Sequence, residues 1–317
     1  MSEPRQRQGG QIVPPDGGSV RDLLRVTAPV DLATIDPRST PGLPAADGLG
    51  ERRKTWARGQ VELIGEELGR QQEMLFAMAK AGSTTQPARR VLLVLQAMDC
   101  GGKDGTIKRV AGAMNPLGLH IRSFGPPTEE ELQHDFLWRV RRELPPAGYV
   151  GMFNRSHYED VLIARVGALV PEAVWRARYD EINSFERELT DDNVTVVKVM
   201  LHISYAEQGE RLLERLTDPR KHWKYNPSDV DSRSHWDDYQ AAYAEALSRC
   251  GTDAAPWFVV PADRKWYRDW AVAHLLRETF DTLRLGYPAA DFDVAHERER
   301  LAAGGAGTGG TPEMNTR

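Results

Sequence analysis

The chain of 317 residues carries 41 Lys and Arg against 46 Asp and Glu, a formal net charge of −5, and 40% of its residues are hydrophobic. This apolar fraction is enough for a globular core. The negative charge argues against a protein that coats nucleic acid, because such binding needs surplus Lys and Arg. The two cysteines, Cys100 and Cys250, are too few for a disulfide framework and favour a reducing, intracellular setting.

The sequence contains no signal-peptide pattern and no apolar run of about 18 residues that could cross a membrane. We therefore expect a cytoplasmic protein whose partners include neither nucleic acid nor a membrane. Residues 1–50 are rich in Pro and Gly, which predicts a mostly irregular N-terminal segment. We expect residues 51–288 to form the folded domain. We expect residues 289–317 to form the end of a helix followed by a flexible tail.

Hydrophobic periodicity predicts helices and strands in alternation. Apolar residues recur at helical spacing across 51–80 and 172–189. Short apolar runs predict buried strands at 90–96, 120–124, 149–154, 194–203 and 257–261. Because helical stretches separate these runs, we expect an α/β fold in which helices flank a mostly parallel five-stranded sheet. The interval 205–250 is longer than a crossover needs, and we expect it to form a helical lid, here called the lid segment.

The string QAMDCGGKDGTIKRV follows the first predicted strand and leads into a helical pattern. Its glycine-rich loop, residues 97–106, contains the candidate phosphate-binding residues Gly101, Gly102, Lys103, Gly105 and Thr106. Glycines let the backbone close around phosphate oxygens, and a helix N-terminus offers unpaired N–H groups. The P-loop (Walker A) pattern G-x-x-x-x-G-K-[ST] is matched at Gly102 and Lys103 but not at Ala97 and Asp104. An ordinary strand-to-helix turn with a solvated lysine is the alternative.

Two aspartates in this loop have more than one interpretation. A carboxylate at Asp99 is a poor neighbour for phosphates unless a divalent cation lies between them, so we assign it to Mg²⁺. A helix N-cap or an Asx turn is the alternative for Asp99. Asp104 has the same interpretations, and there we favour the cap.

Three strings together, MDCGGKDGT, FNRSHYEDV and DPRKHWKYNPSDV, resemble the family-2 polyphosphate kinases in order and spacing. The resemblance covers roughly residues 52–287. It implies a P-loop kinase-like α/β/α core with a helical lid, Mg²⁺ (or Mn²⁺) as cofactor, inorganic polyphosphate as phosphoryl donor and a nucleoside mono- or diphosphate as acceptor. It also implies a homo-oligomer, a dimer or tetramer, and the strings look like those of the subgroup that accepts both AMP and ADP.

The resemblance assigns roles to individual positions. Asp99 resembles the family's magnesium aspartate, Lys103 its phosphate-loop lysine and Arg155 the arginine after its second strand motif; these three are the candidate catalytic residues. Many members have Asp where this chain has Asn154, and that Asp helps to hold the metal. We assign Asn154 and Glu159 to nucleotide binding. A hydrogen bond at the strand end and a favourable helix-dipole position are the respective alternatives.

Basic residues beyond the loop are candidates for binding the polyanion. Arg211 and Arg215 lie four apart on a predicted helix, and Lys221 and Lys224 match the family's basic lid motif. Arg178 resembles a lid arginine. A linear polyanion needs a track of cations, although basic helix faces are more often simply solvated. Aromatic residues such as Trp223 and Tyr239 are assigned to the core, as is usual at helical spacing.

The sequence therefore predicts a magnesium-dependent, reversible kinase that transfers the terminal phosphoryl group of polyphosphate to AMP or ADP, and to GMP or GDP as further candidates. Two alternatives stay open. An ATP-dependent kinase of nucleotides or small molecules could use the same glycine-rich loop. A non-catalytic binding protein could have lost its metal site through Asn154.

Overall fold

The computed structural model describes residues 11–44, 52–82 and 88–305. Its centre is one sheet of five strands: β1 (Arg90–Gln96), β2 (Leu119–Ser123), β3 (Val150–Asn154), β4 (Val194–His202) and β5 (Trp257–Pro261). The strand order is β2-β3-β1-β4-β5, and every pairing is parallel. The five predicted strands are confirmed to within one residue at each end, and the sheet is wholly parallel.

Strand β1 lies in the middle of the sheet, with Leu95 beside Asn154 of β3 and Gln96 beside Met200 of β4. Six of its seven residues are buried, which explains why this strand appears in the sequence as a continuous apolar run. In parallel strands the carboxyl ends meet at one edge. The residues that follow β1 and β3 are therefore brought together.

Helices cover the sheet. They are α1 (Val20–Leu24), α2 (Arg53–Ala81), α3 (Lys103–Ala111), α4 (Trp138–Arg141), α5 (Glu159–Val166), α6 (Glu172–Asp191), α7 (Tyr205–Thr217), α8 (Ser228–Ser234), α9 (Trp236–Cys250), α10 (Lys265–Thr282) and α11 (Val294–Gly305). Helix α10 packs against α2 and α3, whereas α5, α6 and α9 pack together. The predicted α/β fold is confirmed.

The two helices predicted from periodicity are both present. Helix α2 ends where Gly82 adopts a left-handed conformation with φ of 65°, which a glycine accommodates without strain. Helix α6 buries the predicted apolar stripe, including Trp175, Tyr179 and Ile182. Among the residues that the structure describes, no helix is both long and apolar enough to cross a membrane.

The described part of the N-terminal segment packs onto the domain. Ser19 caps α1 and also donates a 2.6 Å hydrogen bond to Glu278 on α10. Arg25 forms an antiparallel bridge with Phe258 of β5. The chain divides into a large compact unit that ends at Gly286 and a small unit that begins at Tyr287 and contains α11. The flexible tail was predicted to begin at Ala303, but α11 continues to Gly305, and the rest of the predicted tail lies outside the described residues.

The lid segment consists of α7, a 3-10 helix at Pro219–Lys224, α8 and α9. Helix α7 buries Gln208, Arg211 and Leu212, of which two are polar. Buried polar side chains need hydrogen-bond partners. Gln208 and Arg211 both donate to carbonyl groups of the glycine-rich loop, so α7 is part of the wall that shapes this loop.

Candidate active site

The glycine-rich loop leaves β1 and enters α3 at Lys103. Cys100 and Gly102 both have positive φ, 63° and 100°, and a tight turn from Met98 to Gly101 is closed by a 3.0 Å hydrogen bond from Gly101 N to Met98 O. Alternating backbone conformations of this kind form a concave nest of N–H groups. The first-turn N–H groups of α3, which have no acceptor within a helix, lie beside it. The loop is therefore suited to bind an anion.

The carbonyl groups of the same loop are held by helix α7. Gln208 Nε2 donates to Asp99 O at 3.0 Å, and Arg211 Nη1 donates to Cys100 O at 2.9 Å and Gly101 O at 3.2 Å. An anion nest requires that carbonyl oxygens do not point at the ligand. These two side chains of α7 satisfy that requirement by binding the carbonyls from outside the nest.

Arg211 makes a full set of five contacts. Besides the two loop carbonyls, its Nη2 donates to Ala262 O at 2.6 Å and Asp263 O at 3.1 Å, and its Nε donates to Glu207 at 2.8 Å. A guanidinium has five N–H donors, so all of them are occupied. The side chain is 6% exposed. Arg211 lines the cavity over the loop as predicted, but its contacts are those of a residue that joins the loop to the end of β5.

Lys103 begins α3 and is buried. Its Nζ donates to Ala97 O at 2.9 Å, across the loop. Burial lowers the pKa of Lys103, and the nearby Arg155 lowers it further, while Asp99 and Glu159 oppose this shift. The amine therefore lies in a position where a phosphate group would relieve the energetic penalty of its burial.

Arg155 follows β3 directly and bridges two carboxylates. Its Nη2 donates to Asp99 at 2.7 Å and its Nη1 donates to Glu159 at 3.1 Å. Burial alone would lower the pKa of Arg155, but Glu159 and Asp99 outweigh it and the pKa is raised. Arg155 has a φ of 64°, which is unusual for a residue with a side chain. The structure thus brings the three candidate catalytic residues, Asp99, Lys103 and Arg155, into one place.

A buried network fixes the backbone just after Arg155. Glu186 accepts hydrogen bonds from Tyr158 OH at 2.8 Å and from Lys198 Nζ at 2.5 Å, and its other contact is His157 Nε2 at 3.2 Å. Burial would raise the pKa of Glu186, but Lys198 and His157 outweigh it and the pKa is lowered. The network holds His157 and Tyr158, and Arg155 itself donates its N–H to Leu95 O at 3.0 Å, so the positive φ at Arg155 lies in surroundings that hold it on both sides.

Asp104 is not the cap that the sequence suggested. Gly102 is the N-cap residue of α3 and makes no side-chain capping bond. Asp104 instead accepts a 2.5 Å hydrogen bond from Asn154 Nδ2. An Asp at position 154 would face Asp104 as a like charge, so the amide at Asn154 matches its neighbour.

Two cavities meet at this centre. The large cavity, of about 770 Å³, is bounded by the glycine-rich loop, α7, the 3-10 helix at Pro219–Lys224 and the start of α10. The small cavity, of about 430 Å³, is bounded by Phe124, α5, α8 and α9. Four residues line both: Asp99, Arg155, Asn226 and Asp229.

The large cavity contains most of the predicted anion-binding residues. Its basic side chains are Lys103, Arg155, Arg211, Arg215, Arg220, Lys221, Lys224, Lys265 and Arg268, against the acidic Asp99, Asp104, Glu214, Asp218 and Asp229. Lys221 pairs with Glu214 at 2.5 Å, and Arg215 donates to Asp229 at 3.0 Å. Gly101, Gly102 and Gly105 also line it.

Two predicted residues lie elsewhere. Arg178 donates to Asp160 O at 2.8 Å and lines neither cavity, so its contacts support α5 and not an anion. Thr106 is fully buried, and its hydroxyl donates to Gly102 O at 3.1 Å inside the helix. Glu159 lines the small cavity, as expected for a nucleotide-binding residue, whereas Asn154 lines the large one.

Sequence reasoning missed several lining residues. Trp223 was assigned to the core, but it is 78% exposed and lies on the wall of the large cavity, so that assignment is wrong. Tyr239 lines the small cavity, and Arg268 lines the large one. The position of Trp223 inside a run of basic residues was a signal available in the sequence. No local signal marks Arg268, because it lies on a helix more than 160 positions after the loop.

The donor set of the centre is compatible with Mg²⁺. Among the described residues no group of three or more His, Cys, Asp and Glu side chains could enclose a metal ion. Mg²⁺ does not require such a cage, since it retains water and is bound by one or two carboxylates together with substrate phosphates. Asp99, at the junction of the two cavities, offers such a carboxylate.

The family model Polyphosphate kinase 2 (PPK2) matches residues 62–284. The chain belongs to the polyphosphate kinase 2 family. Within the family it is 47% identical over 238 residues to an AMP/ADP-polyphosphate phosphotransferase of Meiothermus ruber, covering 75% of this chain and 86% of that protein. It is 41% identical over 235 residues to an ADP-polyphosphate phosphotransferase of Rhodopseudomonas palustris, covering 70% of this chain and 78% of that protein.

A solved structure of the family has the same fold. The chain superimposes on the crystal structure of polyphosphate kinase 2 from Arthrobacter aurescens TC1 with a TM-score of 0.85 at 46% sequence identity, over 90% of this chain and 97% of the other. The family resemblance and the P-loop kinase-like fold expected from the three strings are thereby confirmed.

Proposed function

We propose that the protein transfers the terminal phosphoryl group of inorganic polyphosphate to AMP or ADP, with GMP and GDP as further acceptors. The observation that carries this proposal is the meeting of two different cavities at Asp99 and Arg155. The large, basic cavity suits a polyphosphate chain, and the small cavity suits a nucleotide. A phosphoryl group can pass between them without leaving the centre.

The large cavity supports polyphosphate as the donor. Nine basic side chains line it against five acidic ones, and they extend from the glycine-rich loop to the exposed 3-10 helix at Pro219–Lys224. The nucleotide ATP presents only three phosphates, whereas a row of cations that reaches the surface can follow a longer chain. Lys221 and Lys224 lie at the outer part of this row.

The small cavity supports a nucleotide as the acceptor. Its wall combines apolar and aromatic side chains, among them Phe124, Leu162 and Tyr239, with the carboxylate of Glu159. A cavity of about 430 Å³ is within the usual range for a small-molecule site. The aromatic surfaces can pack against a base, and Glu159 can accept hydrogen bonds from a ribose or an exocyclic amine.

The reaction needs positioning more than acid–base chemistry. An oxygen of the nucleotide's terminal phosphate forms a bond to the terminal phosphorus of the donor, and the bond from that phosphorus to its bridging oxygen breaks. The shortened polyphosphate leaves with the electron pair, so no electrons are gained or lost overall. The attacking oxygen is already ionised, and charge compensation by Lys103 and Arg155 supplies most of the catalysis. The reverse reaction is similar in energy.

We propose Mg²⁺ as the cofactor, with Mn²⁺ as a substitute. When bound at Asp99 it would neutralise charge on the transferred phosphoryl group. Arg155 contacts the same carboxylate, so this arginine is free to turn towards phosphate oxygens once the carboxylate has another cation beside it. The likeness to the AMP/ADP-polyphosphate phosphotransferase supports the subgroup that accepts both nucleotides.

The family likeness also supports a homo-oligomer, a dimer or tetramer, which light scattering after gel filtration would measure. We propose a cytoplasmic location, where nucleotides and polyphosphate are both available. That nucleic acid and membranes are not partners stays a prediction from charge and composition.

The test is phosphorylation of AMP, ADP, GMP or GDP in separate reactions with Mg²⁺ and long-chain polyphosphate, followed by ion-exchange chromatography. We expect ADP and then ATP to form from AMP only when polyphosphate is present. Lys103→Ala should abolish this activity, while Lys108→Ala, an exposed control on the same helix α3, should retain it. Full turnover by Lys103→Ala would refute the assigned role.

The same assay separates the alternatives. Phosphorylation from ATP in reactions without polyphosphate would favour an ordinary ATP-dependent kinase. Tight binding of polyphosphate with no transfer to any of the four nucleotides would favour a binding protein. In that event Asn154→Asp would be the first variant to examine for recovered turnover.

A further inference from the structure

Arg268 lies one turn into α10 and projects into the floor of the large cavity. It is 4% exposed. Its Nε and Nη2 both donate to Asp269, at 3.0 and 2.6 Å. Its Nη1 makes no hydrogen bond or ion pair with any residue that the structure describes, and because Arg268 lines the large cavity this donor is open to a group that occupies the cavity.

The unmatched nitrogen lies against the glycine-rich loop. A methyl group placed on Gly102 would overlap Arg268 Nη1, and one placed on Gly105 would lie 3.2 Å from Nη2. The two glycines therefore admit the guanidinium next to the first turn of α3, where N–H groups without acceptors also point. Gly105 has no positive φ, and a side chain there would come into tight contact with the Arg268 guanidinium.

The charges around Arg268 would also stabilise a bound anion. Burial lowers the pKa of Arg268. Asp269 raises this pKa in part, whereas the positive charge of the neighbouring Arg211 lowers it. Arg211 has all five donors occupied by protein atoms, and Lys103 donates to the loop. Arg268 thus combines a buried charge with a free donor at the anion nest.

We propose that Arg268 binds the polyphosphate donor, with Nη1 contacting an oxygen of the phosphate that occupies the glycine-rich loop. This proposal rests on the proposed function of the large cavity. Arg268 does not line the small cavity, so it contributes to donor binding and not to nucleotide binding. Arg268 thus gives the loop a charged contact from α10, which lies near the C-terminal end of the domain.

The test compares polyphosphate binding by the wild type and by Arg268→Gln, with Arg277→Gln as control on the same helix. Arg277 is partly exposed and lies outside both cavities. Binding of fluorescently labelled polyphosphate is measured without nucleotide, and KM for AMP is measured at saturating polyphosphate. Loss of one charge-assisted hydrogen bond should raise the Kd for polyphosphate about ten- to a hundredfold. KM for AMP should stay within about twofold.

A second variant guards against misfolding. Arg268→Gln leaves the half-buried Asp269 without its ion-pair partner, whereas the double variant R268Q/D269N removes both charges of the pair. We expect the same rise in Kd from the double variant, with a melting temperature near that of the wild type. A polyphosphate Kd within twofold of the wild type in either folded variant would overturn the proposal, as would an equal weakening of AMP binding. If the wild type itself transfers no phosphate to nucleotides, the proposed function fails and the binding result still decides the role of Arg268.

Discussion

Replacement of Arg211 by Met tests whether this residue binds polyphosphate or holds the glycine-rich loop. Methionine is of similar length but donates no hydrogen bond. It would leave four backbone carbonyl groups without their partner, those of Cys100, Gly101, Ala262 and Asp263. These groups lie beneath a side chain that is only 6% exposed, so water cannot fully replace the lost contacts.

The expected loss of stability is large. Removal of one partner from a buried charged network destabilises proteins by about 3–5 kcal/mol. For a domain of this size each kcal/mol lowers the melting temperature by about 2–4 °C, so we expect a decrease of about 6–20 °C. Displacement of the loop carbonyls should also lower kcat about a hundredfold, since misplaced groups lose their alignment with the substrate.

The assay combines thermal unfolding with kinetics at varied polyphosphate. Arg215→Met is the matched control, one turn later on α7, where the guanidinium is partly exposed and contacts Lys224 O and Asp229. It should cost about 1 kcal/mol and mainly raise KM for polyphosphate. Arg211→Lys keeps the charge but has three donors, and it should not restore stability. An Arg211→Met variant that melts within about 2 °C of the wild type and only raises that KM would show that Arg211 is a polyphosphate ligand after all.

Three further predictions concern the metal, Asn154 and pH. Asp99→Asn should remove the gain in melting temperature that Mg²⁺ gives in the presence of polyphosphate, and a gain equal to that of the wild type would contradict the metal assignment. Asn154→Asp replaces the donor to Asp104 by a like charge and, because this pair is exposed to solvent, should lower the free energy of unfolding by up to about 1 kcal/mol without metal, with Mg²⁺ restoring part of it. Burial lowers the pKa of His274 to about 3. Below pH 6.5 His274 is therefore protonated in the unfolded chain but stays neutral in the folded chain. The free energy of unfolding should fall by up to about 1.4 kcal/mol per pH unit between pH 6 and 4. Urea unfolding of His274→Leu should show a shallower decrease, and identical slopes would refute this cause.

The elements of the sheet could be predicted because a strand buried on both faces must be apolar throughout. Residues 90–96 and 257–261 have this pattern, and both are strands in the structure. The amphipathic α6 was equally visible, because a helix that packs on a sheet needs one apolar stripe. In each case a local pattern reports directly on burial.

The roles of single charged residues could not be predicted in the same way. Arg211 and Arg215 look alike in sequence and lie on one helix, yet Arg211 has all its donors bound to protein atoms, four of them backbone carbonyls, whereas Arg215 lines the cavity more openly. Asp104 reads as a cap until Asn154, 50 positions away, is found beside it. What a charged side chain does depends on which partners surround it, and those partners come from distant segments.

The sequence by itself determined the order of strands and helices, the position of the glycine-rich loop and the family, because these depend on local burial patterns and short motifs. Only the tertiary structure decided that α7 supports the loop, that two cavities share Asp99 and Arg155, and that Arg268 of α10 reaches Gly102. The physical reason is that hydrogen bonds and charges act over a few ångströms in space, whereas these residues are up to 169 positions apart in the chain.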